Sequence, residues 1–289
     1  MSETSDVEPG TLYVVATPIG HLGDFSPRAQ RVLGQVSLIG AEDTRTSQTL
    51  LSAHGIRTPL QAVHEHNEAA QAERLLARLR SGESLALIAD AGTPLISDPG
   101  FTVVRAARAA GVPVRTVPGP CAAIAALSIA GLPSDRFEFV GFLPAREAAR
   151  RERLRELAGL THTWIVYESS HRIEACLADL LAVLGPARRV CLARELTKQF
   201  EQSELAPLQE LLPWLRADPH RQRGEFVLVV EGAAPVEADE ALPAEAQRLL
   251  ELLLTELPAS RAARLAAAYT GLPRQRFYRQ ALGSAADGE

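Results

Sequence analysis

Cysteine is scarce in this chain: Cys121, Cys176 and Cys191 are the only three among 289 residues. They are scattered and form no Cys-x-x-Cys pair, so neither a disulfide framework nor a zinc cluster is supported, and thiol redox chemistry is not indicated. Long apolar runs are missing too. Stretches such as Leu85 to Ala89 and Phe226 to Val230 fall far short of the roughly 20 residues a bilayer span needs. The N-terminus lacks a basic-then-apolar leader, so a cytoplasmic protein is expected. Lysine is almost absent, Lys198 being the single one, and the net charge of −5 excludes a histone-like surface that binds nucleic acid everywhere. The usual nucleotide signatures are absent as well. No Gly-x-Gly-x-x-Gly opens a helix after the first strand-like run, and no Gly-x4-Gly-Lys-Ser/Thr occurs anywhere, which disfavours a dinucleotide fold or a P-loop.

The chain does carry an ordinary globular composition, 46% hydrophobic and 22% charged, long enough for about two domains. Order is expected from Thr11 onward. Short apolar runs without alternation (Thr11 to Thr17, Val36 to Gly40, Ser84 to Ala89, Val112 to Val117) are separated by amphipathic stretches near Thr44 to Ala53, Ala69 to Arg80 and Gly100 to Ala110. That pattern predicts a doubly wound, mostly parallel sheet covered on both faces. Pro118-Gly119-Pro120 is a turn, and a domain boundary is placed there. A second α/β unit follows, with strands near Phe137 to Val140, Thr163 to Tyr167, Arg189 to Ala193 and Phe226 to Glu231. Its helices are expected near Ala148 to Ala158 and Ile173 to Leu184. After the linker Gly232 to Asp239, three short helices are predicted over Pro243 to Leu257, Arg261 to Tyr269 and Arg274 to Leu282. The expected domains are therefore 11–118, 119–232 and a helical extension over 240–283.

Ligands of open α/β sheets bind at the carboxyl ends of strands, and three such ends are unusually loaded. They read Thr17-Pro18-Ile19-Gly20-His21-Leu22-Gly23-Asp24, then Asp90-Ala91-Gly92-Thr93-Pro94-Leu95-Ile96-Ser97-Asp98-Pro99-Gly100, and Val117-Pro118-Gly119-Pro120-Cys121-Ala122-Ala123. Proline fixes φ and glycine frees it, so loops of this kind expose backbone donors and acceptors at close range to a flat ligand. His64-Glu65-His66-Asn67 offers two ligands without a third, so no metal site is expected.

These loops, together with Ala41-Glu42-Asp43-Thr44-Arg45, Phe-x-Gly-Phe-Leu-Pro at Phe139 to Pro144, Tyr-Glu-Ser-Ser-His-Arg at Tyr167 to Arg172, Ala-Arg-Glu-Leu-Thr-Lys at Ala193 to Lys198 and Gly-Glu-Phe-Val-Leu-Val-Val-Glu-Gly at Gly224 to Gly232, closely resemble the tetrapyrrole methylase superfamily. Within it the chain resembles the branch that modifies small-subunit ribosomal RNA, over roughly residues 11 to 285. The resemblance implies two α/β domains of tetrapyrrole methylase type with S-adenosylmethionine (SAM) in the cleft between them, usually as homodimers. It implies methylation of a cytidine 2′-hydroxyl in the decoding region of 16S rRNA, with the rRNA met within the small ribosomal subunit. The cofactor residues it implies are Pro18, Ala91, Gly92, Thr93, Ile96, Cys121, Ala122, Tyr167 and Glu168. His21 stands where that branch usually has Asn.

Transfer from a sulfonium to oxygen uses an activated donor, so positioning carries much of the work, yet one group should take the hydroxyl proton. Asp24, Glu42, Asp43, Asp98, Glu168, Glu195, His171 and Lys198 stand near strand ends; Asp98, Glu195 and Lys198 are the catalytic candidates. Arg172, Arg194, Arg274, Arg276 and Arg279 are the candidate RNA contacts, the last three within an acid-free stretch from Arg261 to Gly283 that holds five arginines. The arginines from Arg146 to Arg155 interleave with Glu147, Glu152 and Glu156, and a salt-bridged helix is the favoured reading there. Two alternative readings match the sequence less well. A methylase of a small tetrapyrrole-like metabolite has no use for an arginine-rich tail, and a non-catalytic ribosome-assembly protein has no use for intact cofactor loops.

Overall fold

The computed structural model describes residues 6–64, 67–234 and 242–286, the last stretch without the side chains of Arg279 and residues 282–286. The chain forms two compact units, Met1–Ala233 and Ala234–Glu289.

The first unit contains two five-stranded sheets. Its elements run β1 (Leu12–Val15), α1 (Pro27–Gln35), β2 (Leu38–Ala41), α2 (Thr44–Ala53), β3 (Leu60–Ala62), α3 (Glu68–Arg80), β4 (Leu85–Ile88), α4 (Phe101–Ala109) and β5 (Val114–Val117). They continue with α5 (Ala122–Ile129), β6 (Phe137–Phe142), α6 (Glu147–Leu157), β7 (Thr163–Ser169), α7 (Ile173–Leu184), β8 (Arg189–Arg194), β9 (Gln202–Pro207), α8 (Leu208–Arg216) and β10 (Glu225–Val230). The first sheet has the order β3-β2-β4-β1-β5 with every pairing parallel. Its inner strands are buried at every position except the half-buried Val14, because helices cover both faces. Tyr13, Val15, Phe25, Val32, Leu33, Ile39 and Leu51 fill one face. Leu12, Leu75, Leu79, Leu85, Leu87 and Val103 fill the other.

The second sheet has the order β6-β7-β10-β8-β9 and is mixed: β6 and β7 pair in parallel, and the remaining pairs are antiparallel. One face packs Trp164, Val166, Leu192 and Leu228 against α6, α7 and α8. The opposite face packs Ile165, Ala193, Val227 and Val229 against the small residues Ala123 and Ala126 of α5. The sequence reading contains no α1, β3, β9 or α8. Of these, α1 announces itself through Ser26, whose hydroxyl accepts from the Ala29 N–H, and Pro27 at the first helical position.

The arginines of α6 pair as their spacing predicts, Arg151 with Glu147, Arg153 with Glu156 and Arg155 with Glu152. Arg150 departs from that solvated pattern. It is buried, donates to the Ala145 carbonyl, and shares the buried Asp179 carboxylate of α7 with Arg151.

The second unit is helical, with α9 (Ala244–Leu254), α10 (Ala259–Thr270) and α11 (Arg274–Ala286). Leu242, Ala246, Leu250, Ala262, Ala263, Ala266, Phe277 and Ala281 form its core. Gly271 caps α10 in the left-handed region at φ 72°, a conformation that favours glycine. Pro273 then leads into α11, so α10 and α11 make a helix-turn-helix.

Replacing Asp179 leaves two guanidinium groups without their shared anion, one of them buried. Asp179→Ala is expected to cost about 3–5 kcal/mol of stability, read as a fall in the denaturation midpoint. A loss below about 1 kcal/mol would show that the pair does not join α6 to α7.

Candidate active site

Because β1 lies between β4 and β5 in a parallel sheet, the loops leaving these three strands emerge side by side at one end. They are tied together. Thr17 and Gly92 exchange two backbone hydrogen bonds, 2.9 and 3.1 Å. The Thr93 hydroxyl donates to the Pro120 carbonyl at 2.9 Å, joining the second loop to the third. The second loop is held in an uncommon backbone conformation, with Gly92 at φ 82°, Leu95 at 73°, Ser97 at 68° and Gly100 at 123°. Two non-glycine residues in the left-handed region are strained, and such strain persists only where the surroundings impose it.

A cavity of about 490 Å³ opens at this end, walled by the three loops on one side and by β7, β10 and the end of β6 on the other. This size suits a small ligand. Of the expected cofactor residues, Ala91, Gly92, Thr93, Ile96, Cys121, Ala122, Tyr167 and Glu168 line it. Pro18 is buried behind the loop, and its neighbour Ile19 reaches the lining instead.

Glu168 lines the cavity, but its carboxylate is turned away. Alternation along β7 puts Tyr167 and Glu168 on opposite faces. The Tyr167 ring joins the cluster around α5. The fully buried Glu168 carboxylate pairs with Arg172 at 3.1 Å and accepts from the Ser169 N–H at 2.8 Å; burial, with Glu168 adding to it, holds the neighbouring Cys176 in its thiol form. The Tyr167 hydroxyl accepts from the Ala123 N–H at 3.1 Å, and burial pushes its ionisation well above the usual phenol range.

What the sequence does not show is that carboxylates from two strand ends converge in this cavity. Glu42, from the end of β2, lines it together with Asp90 and Asp98. No Lys or Arg pairs with these three carboxylates among the described residues. Burial, reinforced by Glu42 and Asp90, pushes Asp98 up to about 7, and burial with Asp90 raises Glu42 as well. Asp90 anchors the arrangement by accepting the Asp43 N–H at 3.0 Å. The cavity therefore carries a negative charge that a cationic ligand or a proton would relieve.

The other candidates lie elsewhere. Lys198 Nζ is held between Glu195 at 2.9 Å and Glu225 at 2.6 Å, and Glu195 also accepts the Glu225 N–H. The cavity lining includes Glu225 and Leu196 but neither Glu195 nor Lys198. Their charges are satisfied by one another, so they lock a loop at the rim where catalysis was expected. That loop meets the first one: the His21 N–H donates to Thr197 Oγ1 at 3.1 Å, and a methyl group on Gly20 would collide with the Lys198 stem. His21 Nδ1 accepts the Gly23 N–H at 3.1 Å, the capping bond that an Asn side chain makes in such a turn.

Arg194, expected at the RNA, is engaged inside the fold. It is buried, and its guanidinium donates to the carbonyls of Arg223 and Phe200, which leaves no open fork for phosphate. Arg172 likewise donates to the Leu143 carbonyl and pairs with Glu168, so it positions backbone. Arg274 is exposed and donates to Ser260 Oγ at 3.2 Å. Arg276 is half-buried, and the Arg279 side chain lies outside the described residues. Glu65 and His66, from the weak metal motif, also lie outside them.

Two outcomes test this geometry. At Gly92 a Cβ would meet Ile19 Cγ2 at 3.2 Å with φ already positive, so Gly92→Val is expected to abolish ligand binding in a chain that still folds, read by calorimetric titration and circular dichroism. Asp98 holds its proton more tightly in the folded state than in the unfolded chain. Folding stability therefore falls as pH rises between the ordinary carboxylate range and about 7. Asp98→Asn removes that slope and should raise the melting temperature over the unsubstituted chain more at pH 8 than at pH 5. Equal differences at both pH values would contradict the reading.

Comparison with known proteins agrees with this architecture. Residues 11–212 match the family model described as Tetrapyrrole (Corrin/Porphyrin) Methylases, and residues 240–285 match the RsmI C-terminal HTH domain. The chain is 56% identical over 273 residues to Ribosomal RNA small subunit methyltransferase I of Pseudomonas aeruginosa, covering 94% of this chain and 97% of that one. It is 51% identical over 280 residues to the protein of the same name from Escherichia coli O157:H7, covering 97% of each. Among solved structures, uroporphyrin-III C-methyl transferase from Thermus thermophilus complexed with S-adenyl homocysteine aligns with a TM-score of 0.53 at 20% identity, over 76% of this chain and 96% of that one. Diphthine synthase aligns at 0.57 and 15% identity, over 83% and 99%. These two likenesses concern the fold alone. With more than half its residues identical over nearly its whole length, the chain belongs to the ribosomal RNA small subunit methyltransferase I family, a branch of the tetrapyrrole methylases.

Proposed function

We propose that this chain uses SAM to methylate the ribose 2′-hydroxyl of a cytidine in the decoding region of 16S rRNA, acting on the small ribosomal subunit as a cytoplasmic homodimer. The observation that carries this reading is the near full-length identity to proteins named as ribosomal RNA small subunit methyltransferases. No helix among the described residues is long and apolar enough to cross a membrane.

The residues present fit SAM. Three unpaired carboxylates suit a ligand whose sulfur and amino group are both cationic. Gly92 leaves the space that a side chain would fill, and Ile19, Ile96, Ala122 and Val227 offer an apolar wall for a purine. When bound, SAM supplies a methyl group already activated on a sulfonium. What remains for the chain is to orient the acceptor oxygen, exclude water and take one proton. Of the three catalytic candidates, Asp98 is the one that lines the cavity. A carboxyl poised near neutrality can accept the hydroxyl proton and return it to water. The RNA reading draws its further support from the second unit, where α10 and α11 carry five arginines and no acidic residue and could neutralise backbone phosphates.

Incubation with tritiated SAM and small subunits that lack the modification should place label in 2′-O-methylcytidine of 16S rRNA. Label in a tetrapyrrole, with none in rRNA, would overturn the proposal. Asp98→Ala should lower kcat by about a hundredfold or more and remove the rise of rate with pH near 7. An unaltered profile would assign the proton to another group.

A further inference from the structure

The motif Phe139-Val140-Gly141-Phe142-Leu143-Pro144 has no role in the chemistry above. β6 and β7 pair in register through Phe139 and again from Gly141, with a shift between them, so Val140 is the extra residue of a β-bulge. Gly141 sits at φ 76°, and a Cβ there would come 3.3 Å from Ser97 Oγ in the strained second loop. In an unbroken strand, residues three apart point to opposite faces. Here Phe139 and Phe142 both lie near edge-on to the ring of Tyr167, with centroids 5.0 and 5.8 Å away and interplanar angles of 67° and 69°. The bulge has turned Phe142 onto the cavity face. The next residue, Leu143, returns to the core on the opposite side of the sheet.

Phe142 lines the cavity and is nevertheless 55% exposed. A phenyl ring left wet at the lip of a cavity, buttressed by a tyrosine that is itself pinned to the start of α5, presents a rigid apolar face in need of a flat partner. The reaction supplies one. For a 2′-hydroxyl to enter the cavity its nucleotide must leave the RNA stack, and an unstacked base is stabilised by stacking on an aromatic side chain. The purine of the methyl donor is a poorer match, because a donor enclosed by the three loops has most of its surface covered, whereas this ring faces outward.

We propose that Phe142 is the stacking platform for the nucleobase of the acceptor nucleotide, and that the bulge with Gly141 exists to aim it. The proposal rests on the RNA methyltransferase reading of the cavity. Phe142 is a positioning residue in this account, since it touches the base and not the reacting oxygen.

The test measures acceptor and donor separately. Phe142→Ala should raise KM for unmodified small subunits by about ten- to a hundredfold, the range expected for one lost base-on-aromatic stack. Its kcat should change little, and its SAM affinity by calorimetry should stay within about twofold. Phe142→Trp should restore KM, while Phe142→Leu, equally apolar but not flat, should not. The fluorescence of the Phe142→Trp protein should also be quenched by cytidine 5′-monophosphate and not by ribose 5-phosphate, beyond any quenching in the unsubstituted chain. Weakened SAM binding with an unchanged KM would assign the ring to the donor, and full rescue by leucine would reduce it to packing; either overturns the proposal. If the unsubstituted chain transfers no methyl group to small subunits, the functional reading falls, and this proposal falls with it.

Discussion

The site depends on one constraint of strand order. Placing β1 between β4 and β5, all parallel, forces the chain to leave three neighbouring strands at the same end. The paired hydrogen bonds between Thr17 and Gly92 then fix the first two loops to one another. Everything that lines the cavity on this side follows from that fixation: the left-handed backbone of Leu95 and Ser97, the inward Asp98, and the approach of Ile19 to Gly92. The fold concentrates strain and charge at one place, which is where the general rule for open α/β sheets puts ligands.

Electrostatics then divides the charged residues into two kinds. Those that brace the scaffold are paired: Arg150 with Asp179, Arg172 with Glu168, Lys198 with Glu195 and Glu225, and Arg194 with backbone carbonyls. Those facing the cavity, Glu42, Asp90 and Asp98, have no cationic partner among the described residues, and Glu42 and Asp98 are pushed toward neutrality. A structure that pairs its buried charges elsewhere and leaves these three in mutual repulsion is arranged for a ligand that carries positive charge.

Much of this was legible in the sequence, and the limits have physical causes. Long periodic segments were readable because their apolar spacing is local: Thr44–Ala53 and Ile173–Leu184 are helices with those same bounds. β3 was invisible because three half-buried residues at a sheet edge carry no pattern, and α8 because Pro213 lies inside it. The loops were readable from their glycines and prolines, so the cavity-lining residues were in view. Side-chain direction was not. Glu168 turns its carboxylate away through the alternation of β7, Arg194 is consumed by carbonyls distant in sequence, and Phe142 reaches the cavity only because a bulge reverses its face. Charge density in sequence likewise says nothing about pairing, which is why Lys198 reads as a free cation until its two glutamates are seen.

If this cavity serves ribose methylation of small-subunit rRNA, ribosomes made without the protein must lack that methyl group. Mapping 2′-O-methyl groups along 16S rRNA from cells with the gene, without it, and with the Gly92→Val form tests this most directly. The expected result is the loss of a single cytidine methyl in the decoding region when the gene is absent, its return with the unsubstituted gene, and no return with the glycine variant. An unchanged map in the deletion strain would contradict it.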